Sequence, residues 1–158
     1  MDQRIPDGAK LVLVGKRSFN WDPNNKGPNM KLNNKNLTAT NMSHSDFEPV
    51  FGSISMNSDT HYWEVKINYI RDMNDVMIGV SQGMPKIIDT RNRMSPYERF
   101  YAWHATAGRK MRPHPSGNGK PEQSDYGQHA KQGDTIGCIL EFKGGLGQIT
   151  FVKNGVSF

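Results

Sequence analysis

Apolar residues in this chain recur at every second position, not every third or fourth, and that period decides which backbone they can share. In "THYWEVKI", His61, Trp63, Val65 and Ile67 fall on one side of an extended strand, with Tyr62, Glu64, Lys66 and Asn68 on the other. "DVMIGVS" groups Val76, Ile78 and Val80, "DTIGCILEF" groups Ile136, Cys138, Leu140 and Phe142, and "QITFVK" groups Ile149 and Phe151. Between these runs stand turn-formers: "SMNSD", "RDMND", "HPSGNGKPEQSD" and "KGGLG". No stretch of helical length carries an amphipathic stripe. The pattern predicts an all-β fold, a sandwich of two antiparallel sheets with long loops and little helix. Trp63, Val65, Ile78, Val80, Trp103, Ile136, Leu140, Ile149 and Phe151 are expected to face its interior.

The rest of the chain fits the same scheme. "KLVLV" reads as a short strand, "FNWDPNNKGPNMKL" as a segment bent by two prolines, and "NLTATN" as a strand after a polar turn. From about Met84 to Gln132 the reading is mostly irregular, interrupted by the aromatic segment "ERFYAWHATAGRK". Loops that long in a compact domain usually carry function or disorder. Near the end, Asn154-Gly155 asks for a type I′ hairpin turn, because both residues tolerate positive φ. Gln148–Lys153 are therefore expected to pair with Gly137–Phe142, and Val156 to Phe158 to start back.

Length and composition bound the function. The 158 residues suffice for one domain with a real core, and the 9% of aromatics argues against an unfolded chain despite a mean hydropathy of −0.72. A single cysteine, Cys138, permits no intrachain disulfide. No apolar run approaches a membrane span, and "MDQRIPDGAK" lacks the apolar core of a secretory signal. The expectation is a cytoplasmic or nuclear protein that does not engage membranes.

Catalytic and cofactor patterns are missing from the sequence. His44, His61, His104, His114 and His129 are scattered, without metal-ligand spacing. His61 reads as a rim or core histidine and His104 as a packing residue. "GNGKP" and "GGLG" lack the context of phosphate-binding loops, and no nucleophile elbow occurs. Cys138 alternates inward, where a thiol behaves as a small hydrophobe. The expectation is therefore no enzyme, no metal and no cofactor. The net charge of +5 and pI near 9.4 raise nucleic acid as an alternative partner. Its carrier would be the 109–120 stretch, with Arg109, Lys110, Arg112 and Lys120, which otherwise reads as a solvated loop.

Taken in order, "HYWEVKI", "IGVS", "YAWHATAGRK", "DYG", "GDTIGCILEF" and "ITFVKNGVSF" resemble the successive blocks of a SPRY (B30.2-type) domain. The upstream "WDPNN", "MKLNNKNLTAT" and "VFGSISMNS" resemble the PRY-side strands that precede such a core. This divides the chain into PRY-like strands at 1–59 and a SPRY core at 60–158. The second half is similar to intracellular SPRY proteins of the Ran-binding and ryanodine-receptor kind, whereas "HYWEV" after "WDP" is closer to tripartite-motif proteins.

The resemblance implies a bent sandwich that binds a protein or peptide partner as part of a larger protein or assembly, without catalysis or cofactor. In the SPRY-box adaptor branch, partners dock on loops at one end. The corresponding residues here are Asn41, Met42, Ser43 and His44 in one loop and Tyr97 in a second, joined by Arg109 and Arg112. That branch's Arg and Pro contact positions in the first loop are not reproduced. The family also continues past its "KNG" hairpin with further strands, so the resemblance implies that residues 1–158 leave the sandwich open until a later segment or a partner strand completes it.

Overall fold

The computed structural model describes residues 19–43, 48–70, 76–82, 87–89, 93–94, 100–112 and 122–157. Every regular element within them is a strand. The first four are β1 (Trp21–Lys26), β2 (Met30–Asn33), β3 (Thr38–Asn41) and β4 (Val50–Gly52). Then come β5 (Thr60–Lys66), β6 (Met77–Ser81), β7 (Ile87–Asp89), β8 (Arg93–Met94) and β9 (Phe100–His104). The chain continues through β10 (Arg109–Arg112), β11 (Glu122–Asp125), β12 (Thr135–Lys143), β13 (Leu146–Lys153) and β14 (Val156–Ser157). One four-stranded sheet has the order β14-β13-β12-β5, a second the order β11-β10-β9-β6, and β1-β4, β2-β3 and β7-β8 form pairs. All the ladders among the described residues are antiparallel, and short turns join β2 to β3, β9 to β10, β12 to β13 and β13 to β14.

Register explains the core. Cys138 lies opposite Trp63 on one side and Phe151 on the other, so the three share one face of the first sheet. Ile78 lies opposite Trp103 in the second sheet. The two faces meet where the rings of Trp103 and Phe151 approach to 5.8 Å between centroids. Trp63, Ile78, Trp103, Ile136, Leu140 and Phe151 are buried, and Val65, Val80 and Ile149 are partly buried against them. The predicted interior is thus the observed one, and the chain folds as an all-β sandwich. Cys138 is buried in this layer, and burial pushes its thiol pKa up to about 12. His61 sits at the rim, its Nε2 2.6 Å from the Ser58 carbonyl oxygen.

Two reversals follow from local chemistry. Gly144 and Gly145 (φ 59° and 80°) turn β12 into β13, and Asn154 and Gly155 (φ 51° and 82°) turn β13 into β14. The β12–β13 ladder runs from Ile136–Lys153 to Lys143–Leu146, as the alternation predicts. The second turn is also tied down from outside. Asn154 Nδ2 donates to Asp134 Oδ1 at 2.8 Å, and Thr135 N donates to Asn154 Oδ1 at 2.9 Å. Asp134 Oδ2 accepts from Lys131 N at 2.9 Å and lies 3.7 Å from Lys153 Nζ. Burial alone would raise the Asp134 pKa. The Asn154 and Lys131 hydrogen bonds and the two lysine charges outweigh it and hold the carboxyl below its ordinary value.

Some expectations change. The region from Met84 to Gln132, read as mostly irregular, contributes β7 to β11. The reason lies in the composition of β10 ("RKMR") and β11 ("EQSD"), whose polar side chains leave no apolar alternation to read. Backbone ladders to each other and to β9 hold them instead. Pro23 lies inside β1, where the ladder to β4 shifts register between Trp21 and Lys26, a place that tolerates the missing N–H. The "KLVLV" strand at 10–14 lies outside the described residues. None of the described residues forms a helix long and apolar enough to cross a membrane.

Candidate partner-binding surface

The β2–β3 hairpin is built from asparagines. Asn34, Lys35 and Asn36 all have left-handed φ (52°, 53° and 62°), and asparagine accepts that region more readily than other residues with a side chain. β3 ends at Asn41, opposite Met30. Met42 N then donates to Asn29 O at 3.0 Å, and Ser43 N to Asn41 Oδ1 at 2.9 Å, an Asx turn that directs the chain off the strand. The exit is therefore fixed in position.

Glu48 braces it from the far side. Its Oε2 accepts from Asn29 N at 2.6 Å, and its Oε1 from Asn29 Nδ2. A Cβ on Gly27 would overlap the Glu48 side chain, so only glycine lets the carboxylate approach. Lys26 Nζ donates to Met30 O at 2.7 Å. Beside these groups runs an open groove of about 570 Å³, walled by Pro23, Pro28, Met30, Leu32 and Met42, with Lys26 and Lys31. Met42 is 55% exposed. An exposed, flexible thioether over a groove lined by both apolar and polar residues is suited to adapt to another molecule's surface.

Five of the seven residues expected at the site lie among the described residues. Asn41, Met42 and Ser43 stand together at the hairpin end, whereas His44 and Tyr97 lie outside the described residues. Arg109 and Arg112 are strand residues, the first and last of β10, and not loop residues as expected. The turn at 105–108, closed by Gly108 (φ 64°), ends before them. β3 and β10 belong to different sheets.

The basic stretch also has a different setting from the one its composition suggests. Arg109 lies opposite Asp125, and Arg112 opposite Glu122. Lys110 Nζ stands 5.6 Å from the centre of the Tyr126 ring, which in turn packs against Phe151 at 6.0 Å. Lys120 lies outside the described residues. Of the basic residues in this stretch, Lys110 thus has an aromatic ring beside it.

Sequence reasoning did not find the brace. Asn29 and Glu48 are 19 residues apart, and nothing local marks either as a partner of the other. It also passed over Tyr62, 58% exposed on the outer face of β5. Its hydroxyl donates to Glu64 Oε1 at 2.5 Å, and that bond, with some burial, raises its pKa to about 12. The ring lies across Gly137, where a Cβ would come within 2.8 Å of the phenol oxygen.

No curated protein matches the chain at a significant level. Residues 60–158 match the SPRY domain family model, a span that begins at β5 and includes both four-stranded sheets. With well over half of its length in that match, the chain belongs to the SPRY domain family.

Proposed function

We propose that this chain is a non-enzymatic interaction module that holds a partner protein or peptide at the Asn41–Ser43 end of the β2–β3 hairpin. SPRY domains are in general protein-interaction modules without catalysis. The observation that carries the site is Met42: a large apolar side chain, 55% exposed, standing over a groove whose backbone Glu48 braces through Asn29. Preorganised loops on a rigid sheet lower the ordering cost of binding. In this reading β1 to β4 serve as a PRY-like extension that adds the binding hairpin to the 60–158 core.

The test is site-specific photocrosslinking in the full chain. A crosslinker in place of Met42 should capture a discrete partner from cell extract, and one in place of Ile139, on the outer face of β12, should not. Capture from position 139 and none from 42 would move the site to the other surface.

A further inference from the structure

Asn-Gly is the dipeptide most prone to deamidation, since glycine leaves its amide nitrogen free to approach the asparagine side chain. This chain has two such pairs, Asn118-Gly119 outside the described residues and Asn154-Gly155, which it uses as the β13–β14 turn. The Asn154 carboxamide is held at both ends, Oδ1 by Thr135 N at 2.9 Å and Nδ2 by Asp134 Oδ1 at 2.8 Å. Its backbone N also donates to Thr135 O at 2.9 Å. Three bonds thus tie one turn residue to the Asp134-Thr135 segment that starts β12. Asp134 is itself 5% exposed.

We propose that Asn154 is a latched deamidation site: protected while this turn is docked, reactive once it opens, and unable to dock again after conversion. In the opened chain the Gly155 amide nitrogen loses its proton and bonds to Asn154 Cγ. The Cγ–Nδ2 bond breaks, and Nδ2 leaves as ammonia. Water then opens the cyclic imide at either carbonyl, leaving aspartate or isoaspartate at position 154. Water is the only co-reactant, and nothing is oxidised or reduced.

The product collides with the latch. A carboxylate replaces the donor that faced Asp134 Oδ1 at 2.8 Å, so two anions meet where a hydrogen bond stood. The facing cations are Lys153, 3.7 Å from Asp134, and Lys131, which contributes its backbone N–H. Lys153 Nζ is already engaged by His129 O at 2.9 Å and Gln128 Oε1 at 3.5 Å, so it compensates only in part. Isoaspartate also lengthens the backbone of a two-residue turn.

Two measurements test this on the full chain. Peptide mapping after mildly alkaline incubation should find conversion at position 154 in urea-unfolded protein, and conversion at least about ten-fold slower in folded protein. Equal rates would overturn the protection. Next, N154D should melt below both wild type and N154A at neutral pH, with the gap to N154A narrowing in acid as the two carboxyls come to share a proton. The double variant D134N/N154D restores one donor and one acceptor across the contact, and should recover most of the loss even if N154D alone does not fold. An N154D protein that melts with wild type, or a double variant no better than N154D, would refute the incompatibility.

Discussion

Trp103 and Phe151 meet across the sandwich with ring centroids 5.8 Å apart and planes tilted by 44°. One belongs to β9 and the other to β13, so their contact joins the two four-stranded sheets. Trp103 is 0% exposed and Phe151 3%. Replacing either with alanine should cost about 3–5 kcal/mol, a large share of a small domain's stability. Denaturant unfolding of Trp103→Ala, Phe151→Ala and the double variant should show a coupling of about 0.5–1.5 kcal/mol. Strict additivity would mean that the rings do not interact.

Asp134 gives the fold an acid limb. Its folded pKa lies below the ordinary 3.8, so its stabilising contribution is complete well above that value and falls away as pH drops through it toward the folded pKa. Urea midpoints measured between pH 7 and pH 2 should decline at the acid end. Asp134→Asn should be less stable near neutrality and should flatten part of that decline. An acid limb unchanged by the substitution would assign the loss to other carboxylates.

The Cys138 thiol, with a pKa pushed to about 12 by burial, should stay protonated and unreactive at pH 8. A thiol-specific reagent should label it in urea and leave it unlabelled in the folded chain. Rapid labelling of the native protein would show that the β5–β12–β13 layer opens easily.

Met42→Asp should abolish partner capture yet change stability by less than about 0.5 kcal/mol, because the side chain is largely in solvent. Glu48→Ala removes the acceptor of two Asn29 donors, and should weaken both binding and stability, the latter by about 1 kcal/mol or less because water can replace the acceptor at these exposed bonds. Binding titrations beside thermal melts separate the two effects. Retained binding in Met42→Asp would remove this residue from the site.

Two of the three β10 cations, Arg109 and Arg112, stand opposite acidic residues in register, so the chain should bind neither RNA nor DNA appreciably at low salt. Titration at two salt concentrations checks this. Binding that weakens steeply with salt and disappears in Arg109→Ala/Arg112→Ala would revive the nucleic-acid reading.

Strand identity and register were legible wherever alternation met a buried face. Trp63, Ile136 and Phe151 could be assigned inward from period two alone, because a one-residue slip would put them in water. The turns at Gly144-Gly145 and Asn154-Gly155 were equally readable, since few residues accept their φ values. Ordered SPRY-like blocks pointed to the family, and 60–158 matches it. The polar strands β10 and β11 were not readable, since opposed charges carry no periodic signal.

What only the tertiary structure decided is which distant groups meet. Sequence did not show that Arg109 and Arg112 begin and end a strand, β10, in a different sheet from β3. It could not join Asn29 to Glu48, or Asp134 to Asn154, because each pair is about 20 residues apart in the chain and is brought together only by the register of intervening strands. Local chemistry sets the turn and the face. Pairing between strands sets the neighbours, and the site depends on the neighbours.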